Sequence, residues 1–232
     1  MKALPSLSLV MPCYNDAATI EKAVTEAWEI GRNVAEKFEI VVANDASRDE
    51  SGFILDKLKK KYKELRVISH TLNLGYGATI AELYYAARFA WLFSIPGDYQ
   101  IGANELLKLL PEKDHADMIL GWRVNRQDPP ERLRQSKIYN TLLRWFFGLK
   151  LHDVNSVRLM PTHMFRNVRL TSASAFVDAE LAIRLSKQGF AILEVPIAHR
   201  PDPSSLHSNG GGGSLKTILP TVKDLMRFWL TE

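Results

Sequence analysis

Two short apolar runs, each closed by a cluster of compact polar side chains, constrain this chain more than any other feature. Leu7 to Met11 (LSLVM) and Phe38 to Val42 (FEIVV) are β-rich and almost continuously apolar. That is the pattern of strands buried on both faces. The intervening segment, Ala17 to Lys37, reads as a helix, so the three pieces form a strand–helix–strand unit. Its strands end in Pro12-Cys13-Tyr14-Asn15-Asp16 and in Asn44-Asp45-Ala46-Ser47-Arg48-Asp49. In open parallel sheets the ligand crevice lies outside the carboxyl ends of the strands, where acids and amides meet a ligand. Asn and Asp also cap helices. A third polar strand tip, Ser94-Ile95-Pro96-Gly97-Asp98-Tyr99-Gln100, repeats the pattern and weighs against caps alone.

Alternation continues to about Leu120. The predicted order is helix 50–64, strand Arg66–Ser69, helix 77–92, strand Phe93–Ile95, helix 103–110 and strand Asp117–Leu120. It implies an α/β fold with a mainly parallel sheet flanked by helices. Beyond Gly121 the expected elements are a helix from Leu133 to Phe147, a strand from Val157 to Met160, a helix from Asp178 to Gln188 and a strand from Ala191 to Val195. The stretch Ser204 to Ser214, with Gly210 to Gly213, reads as mobile unless a ligand orders it. From Leu215 to Leu230, apolar residues at helical spacing face Lys216, Lys223 and Arg227, an amphipathic helix suited to its own domain or to a membrane surface.

The chain has 232 residues with 46% hydrophobic content, enough for a substantial core without staples. Cys13 is its single cysteine, which excludes an intramolecular disulfide and suits a reducing compartment. No stretch reaches the roughly 20 apolar residues of a membrane span. The start, MKALPSLSLV, runs into a strand without the hydrophobic length of a signal peptide. A soluble or peripheral protein is expected. The net charge is +4 (30 basic, 26 acidic), yet between Gly121 and Lys150 seven basic residues stand against Asp128 and Glu131. Such an arginine-rich block suits phosphate or forms a solvated helix face. The whole chain carries only +4, which disfavours a nucleic-acid partner.

Asp98 and Gln100 lie two apart and face one side of an extended segment. Both carry the hard oxygens that Mg²⁺ prefers. His70, His115, His163 and His207 show no ligand spacing and read as ordinary surface or core histidines. Cys13 has no evident base partner.

In order along the chain stand PCYNDAATI, EIVVANDASRDES, NLGYGAT, PGDYQ, GWRVNR, the Arg-x-x-x-Ser of ERLRQS, DVNSVRL, FVDAEL and EVPIAH. This series, from about Ser6 to Ser214, resembles the family 2 glycosyltransferases of the GT-A (Rossmann-like) fold. The branch is that of dolichol-phosphate mannosyltransferase and polyprenyl-phosphate glycosyltransferases. The resemblance implies a donor-binding half (1–121), an acceptor-binding half (122–214) and a C-terminal amphipathic helix (215–232). It implies that Pro12, Tyr14, Asp16, Asp45, Gly75, Gly77 and Asp98 line a nucleotide-sugar pocket, and that Asp98 and Gln100 hold Mg²⁺ or Mn²⁺. Arg123 would reach the donor phosphates or sugar, and Arg132 and Ser136 would grip an acceptor phosphate. Asp153, with Asp178 and Glu180, is the candidate base should the acceptor be a sugar hydroxyl.

The implied reaction is inverting transfer of a hexose from a GDP- or UDP-sugar to a polyprenyl phosphate at the cytoplasmic face of a membrane. A membrane-protein partner is left open. The alternatives are a non-catalytic nucleotide-sugar-binding homologue and an enzyme acting on a glycan hydroxyl. Three departures bear on the choice. Pro96 stands where the family usually has an acid two residues before Asp98, Asn44 where the first of two aspartates is common, and Asp202 near where a basic residue often follows EVPIAH.

Overall fold

The structure, a computed structural model, describes residues 3–126, 128–166, 168–201 and 215–231. The first half runs β1 (Leu4–Cys13), α1 (Ile20–Val34), β2 (Ala35–Asn44), α2 (Ser51–Lys61), β3 (Leu65–Ser69), α3 (Tyr76–Ala86) and β4 (Trp91–Ser94). After α4 (Leu106–Leu109), flanked by short 3₁₀ turns, come β5 (Met118–Arg123), α5 (Pro130–Phe147), β6 (Arg158–Pro161), α6 (His163–Arg166), α7 (Val177–Lys187), β7 (Ile192–Ile197) and α8 (Leu215–Thr231).

The strands form one seven-stranded sheet in the order β3-β2-β1-β4-β6-β5-β7. Its centre is β1, which pairs parallel with β2 and with β4, so that Leu9 lies between Ile40 and Phe93. Leu7, Leu9 and Met11 face the side covered by α1 and α2, while Val10 faces the side of α3 and α7. Both faces are therefore sealed, which is why these strands read as unbroken apolar runs rather than alternating ones. One strand departs from the expected pattern. β6 is antiparallel to both β4 and β5, so the sheet is mixed.

Other differences have local causes. The helix expected over 17–37 ends at Val34, and β2 takes Ala35 to Lys37 into its ladder with β1. The helix expected over 103–110 breaks into a 3₁₀ turn, one α turn and a second 3₁₀ turn carrying Pro111. β7 runs through Pro196 to Ile197; it is an edge strand, where a residue without an N–H costs no ladder bond. The Ser204–Ser214 stretch lies outside the described residues, as does Asp202.

α8 packs on its own domain. Leu225 and Phe228 are buried, and the Phe228 ring meets Phe176 at 5.5 Å and Phe147 at 5.7 Å. Its other face leaves Leu219, Met226, Trp229 and Leu230 exposed.

One ion pair ties the second half to the sheet. Arg158, at the start of β6, is fully buried and meets Asp178 of α7 at 2.9 Å. Tyr76 and Tyr84 of α3 donate their hydroxyls to the same carboxylate, at 2.9 and 3.4 Å. Burial disfavours charge on the guanidinium, but Asp178 outweighs it and holds the arginine above its usual pKa. Arg158→Met should therefore destabilise the fold by roughly 3–5 kcal/mol in urea denaturation, because it strands a buried carboxylate. The double variant Arg158→Met/Asp178→Asn should recover more than half of that loss, and equal losses in both would refute the pairing.

Candidate functional site

The carboxyl ends of the parallel strands open on one side of the sheet, and the polar tips meet there. The tip of β1 and that of β2 brace each other. Asp16 N–H donates to the Ser51 hydroxyl at 2.9 Å, Ala17 N–H to Asp49 at 3.0 Å, and Arg48 N–H to the Asn15 side chain at 2.8 Å. Backbone strain is concentrated at the same edge. Among the described residues, the non-glycine residues with positive φ are Asn15, Ala46, Tyr99 and Asn125, in the segments that follow β1, β2, β4 and β5. Left-handed backbone in Ala and Tyr costs energy that the surroundings must offset, and such residues gather at ligand sites.

Two adjoining cavities occupy the edge. The smaller, about 310 Å³, is lined by Pro12, Tyr14, Asp16, Asp45, Gly75 and Asp98, among others. The larger, about 530 Å³, takes in Asp98, Gln100, Arg123, Arg126, Arg132, Ser136 and Asp153. Pro12, Tyr76, Pro96 and Asp98 border both. Asp98 thus stands on the shared wall, with Asp45 on one side and Gln100 on the other.

The loop before α3 forms part of the smaller cavity. Gly75 has φ +83°, a conformation that side-chain-bearing residues resist. Gly77 packs so closely that a Cβ there would lie 2.3 Å from the Ala173 carbonyl carbon. Asp45 holds this loop: its Oδ1 accepts from Leu74 N–H at 2.7 Å and its Oδ2 from Gly75 N–H at 2.9 Å. His70 Nδ1 lies 2.7 Å from the same Oδ1. Three of the four acceptor sites of the carboxylate are taken, which leaves one, on Oδ2.

The larger cavity has a basic floor in which arginines are held by acids. Arg123 binds Asp153 in a bidentate manner, Nε to Oδ2 at 2.6 Å and Nη2 to Oδ1 at 2.7 Å. Arg126 meets Asp128 at 2.7 Å and donates to Ser136 Oγ at 3.1 Å, and Arg132 reaches Asp128 at 3.2 Å. The basic block therefore divides: Arg134, Lys137, Arg144 and Lys150 are exposed, while Arg123, Arg126 and Arg132 are aimed by Asp128 and Asp153. The same cavity lining includes apolar side chains, Ile138 and Leu142 of α5 and Ile218 and Val222 of α8.

Residues 8–173 match the profile of glycosyl transferase family 2. The chain belongs to this family. Among curated relatives, the glycosyltransferase AglD of Haloferax volcanii is 28% identical over 206 residues, which are 84% of this chain and 33% of that protein. An undecaprenyl-phosphate 4-deoxy-4-formamido-L-arabinose transferase of Pseudomonas fluorescens is 28% identical over 63% of this chain and 44% of its own. A dolichyl-phosphate beta-glucosyltransferase of Trichomonas vaginalis is 25% identical over 63% of this chain and 46% of its own. The chain thus spans a third to a half of the length of these relatives. Among solved structures, glucosyl-3-phosphoglycerate synthase from Mycobacterium tuberculosis, in complex with Mn²⁺ and UDP-glucose, superposes with a TM-score of 0.71. It is 15% identical, over 98% of this chain and 78% of that one. The fold is the GT-A arrangement that the nine sequence segments imply.

Within this family 2 domain the cation question turns on Asp16, Asp98 and Gln100. Asp98 Oδ1 accepts from Gln100 N–H at 2.9 Å, which turns the chain so that both side chains border the larger cavity. Gln100 is buried, and its side-chain NH₂ has no hydrogen-bond partner among the described residues. Burial, and the charges of Asp98 and Asp49, push the Asp16 carboxyl up to about 7, although Tyr14 N–H donates to it. Acids crowded in this way suit a divalent cation, whose charge relieves their repulsion. No cluster of three His, Cys, Asp or Glu side chains with metal-binding geometry occurs among the described residues. Any cation here therefore takes its remaining ligands from elsewhere, as Mg²⁺ does from phosphates and water.

Two of the candidate bases have other work. Asp178 is held by Arg158, and Glu180 accepts from Thr171 and Ser172 N–H and pairs with Arg184. Cys13 is buried, and burial and Asp16 push its thiol up to about 12, far from a reactive thiolate. Sequence reasoning passed over Tyr76, Arg126, His70 and His199. Tyr76 lies between the two glycines, and Arg126 and His199 end the GWRVNR and EVPIAH segments, so the signal for these three was in hand. His199 sits among Arg123, Arg126, Arg132 and Asp128, and burial and those arginines hold its pKa below the usual histidine value. His70, far from an ordinary histidine, joins Asp45 to Glu82. Arg200, directly after His199, stacks on Tyr99 at 4.0 Å and pairs with Glu26 at 3.5 Å.

The raised Asp16 carboxyl carries a pH signature. An acid whose folded pKa exceeds its unfolded one loses stability as pH climbs from about 4 to about 7, because the unfolded chain releases its proton first. Asp16→Asn keeps the acceptor for Tyr14 N–H and removes the charge. In thermal denaturation without divalent cation it should raise Tm at pH 8 by about 2–4 °C. At pH 4 it should leave Tm unchanged; an equal gain at both pH values would mean that Asp16 bears no such strain.

Proposed function

We propose that this domain transfers a hexose from a nucleoside-diphosphate sugar to a polyprenyl phosphate, with inversion and with Mg²⁺ or Mn²⁺ as cofactor. The observation that carries the reading is the mixed lining of the larger cavity, in which Asp98 and three guanidiniums stand together with aliphatic side chains of α5 and α8. A phosphate on a long hydrocarbon chain matches both kinds of lining. The relatives named for undecaprenyl-phosphate and dolichyl-phosphate transfer support the same acceptor class. The synthase that resembles this chain in fold is described with UDP-glucose and Mn²⁺, which supports the donor class.

In this reading the smaller cavity receives the nucleoside and the shared wall receives the diphosphate. Gly75 lets the backbone come close to the donor, and Asp45 offers its remaining acceptor site to base or ribose. Asp98 and Gln100 would hold the cation. A bound cation supplies positive charge to the diphosphate as it departs. Arg123 adds to that stabilisation from a guanidinium fixed beforehand by Asp153, so little reorganisation is left for the transition state. Arg126, Arg132 and Ser136 bind the acceptor phosphate.

Such a phosphate is largely ionised near neutral pH, its second pKa being about 6. No side chain then has to remove a proton. The commitments of the nearby acids agree. Asp153 is occupied by Arg123, Asp178 by Arg158, and Glu180 by Arg184 and two backbone amides. A sugar-hydroxyl acceptor would require one of them to be free as a base.

The acceptor would arrive from a bilayer. On α5 and α8, Ile138, Trp145, Leu219, Trp229 and Leu230 are all exposed, with Trp145 at 80%. Two exposed tryptophans, each in contact with Phe146, together with exposed aliphatic side chains suit the interfacial zone of a membrane. No helix of the described residues is long and apolar enough to cross a membrane.

A panel of UDP- and GDP-sugars with Mg²⁺ or Mn²⁺ and a short polyprenyl phosphate, read by nucleotide release, tests the reading. Asp98→Ala should abolish metal-dependent turnover. Arg132→Ala should raise KM for the polyprenyl phosphate about tenfold or more, with the donor KM unchanged, since it removes a charge-assisted contact to one substrate only. Nucleotide binding without sugar release under any metal would point instead to a non-catalytic homologue. In vesicle sedimentation, Trp145→Ala/Trp229→Ala should bind phospholipid at least fivefold more weakly than the parent. Equal binding would separate this face from the membrane.

A further inference from the structure

Behind the smaller cavity, His70 is clamped between two acids. Its Nδ1 lies 2.7 Å from Asp45 Oδ1 and its Nε2 lies 2.6 Å from Glu82 Oε2. Ionised carboxylates only accept hydrogen bonds, so two ionised acids at these distances require both ring nitrogens to donate, as an imidazolium does. Its side chain is 7% exposed, which places the charge almost wholly inside. Its backbone is fixed as well, with His70 N–H donating to Asn44 O at 3.0 Å.

We propose that His70, as an imidazolium held between Asp45 and Glu82, is a positioning residue that locks the Asn73–Gly75 segment in the form that receives the donor nucleotide. The chain of contacts is short. His70 fixes Asp45 Oδ1, and the same carboxylate accepts from Leu74 and Gly75 N–H. Asn73 Nδ2 adds a bond to Asp45 O at 3.1 Å. Without the cation the carboxylate would be a buried anion facing two backbone dipoles, free to turn towards water. With it, the charge is balanced and the carboxylate orientation is set. Gly75, whose φ of +83° few residues share, then keeps its place at the mouth of the cavity.

Two charged groups face the ring from the elements around it, Asp45 after β2 and Glu82 on α3. Burial works against the imidazolium, but hydrogen bonds to both acids and their charges prevail and keep its pKa above the usual histidine value. The sign follows. The clamp is complete below that raised pKa and loosens as pH climbs through it.

The inference rests on reading this cavity as the donor site, and the test separates the two. Glu82→Gln keeps an acceptor for Nε2 and removes one of the two balancing charges. By NMR of ¹⁵N-labelled histidine, both His70 nitrogens of the parent should be protonated at pH 7, and Glu82→Gln should move the titration to lower pH. By calorimetry with UDP and with GDP in the presence of Mg²⁺, parent and variant should bind equally at low pH. Affinity should then fall roughly fivefold across the His70 titration, and it should fall at lower pH in the variant. A neutral His70 at pH 7, or pH profiles of nucleotide affinity that coincide in the two proteins, would overturn the proposal. If neither nucleotide binds the parent at any pH, the donor reading itself fails and the role with it, whatever the NMR titration shows.

Discussion

Charge balance at the carboxyl edge of the sheet governs the rest of this structure. A buried carboxylate without a partner is expensive, and a parallel sheet that collects its polar strand tips on one side collects acids as well. Most of these acids are matched to a specific cation or to backbone amides. Asp178 is matched to Arg158, Asp153 to Arg123, Asp128 to Arg126 and Arg132, and Asp45 to His70. Each pairing also fixes a side chain that borders a cavity. Asp16 stands apart, because the side-chain charges that raise its carboxyl are those of Asp98 and Asp49. Set against these paired acids, Asp16 is the one whose charged neighbours oppose its ionisation.

Much of this was legible in the sequence because it depends on local pattern. Apolar runs such as LSLVM and FEIVV encode strands covered on both faces. The tips that follow them encode the crevice. Asp98 and Gln100 do border one cavity, but through a turn with Tyr99 at positive φ rather than through the extended segment that their spacing implies. The parts that were not legible depend on contacts between distant segments. Nothing within RLMP shows that β6 runs antiparallel between β4 and β5, since an apolar strand reads alike in either direction. His70 reads as a stray histidine because its partners are Asp45, 25 residues before it, and Glu82, 12 residues after it. Arg158 lies inside a predicted strand, and nothing beside it in the sequence shows that Asp178, 20 residues on, is its partner. The arginine block shows its charge in the sequence but not its order, since Asp153 lies 30 residues beyond Arg123.

The break at Pro96 has a structural counterpart. Where the family usually supplies an acid, this chain has a residue without a charge, and Pro96 borders both cavities. Asp16 lies on the same wall, close enough to Asp98 for the two charges to raise its pKa. The wall beside Pro96 thus carries acids from two strand tips, Asp16 after β1 and Asp98 after β4.

The two cavities are also joined mechanically through a segment that belongs to neither strand tip. Gly77 N–H donates to Ala173 O at 3.1 Å, and the absence of a side chain at Gly77 is what permits that approach. The next residue, Ser174, donates its N–H to Asp224 of α8 at 3.0 Å. Tyr76, beside Gly77, forms part of both cavities and donates to Asp178 on α7. The loop over the smaller cavity is therefore anchored to the helices that line the larger one. A donor loop free to move alone would have needed only its own strand and helix for support. Here its position depends on α7 and α8 being in place, and α8 is the helix whose outer face is left apolar.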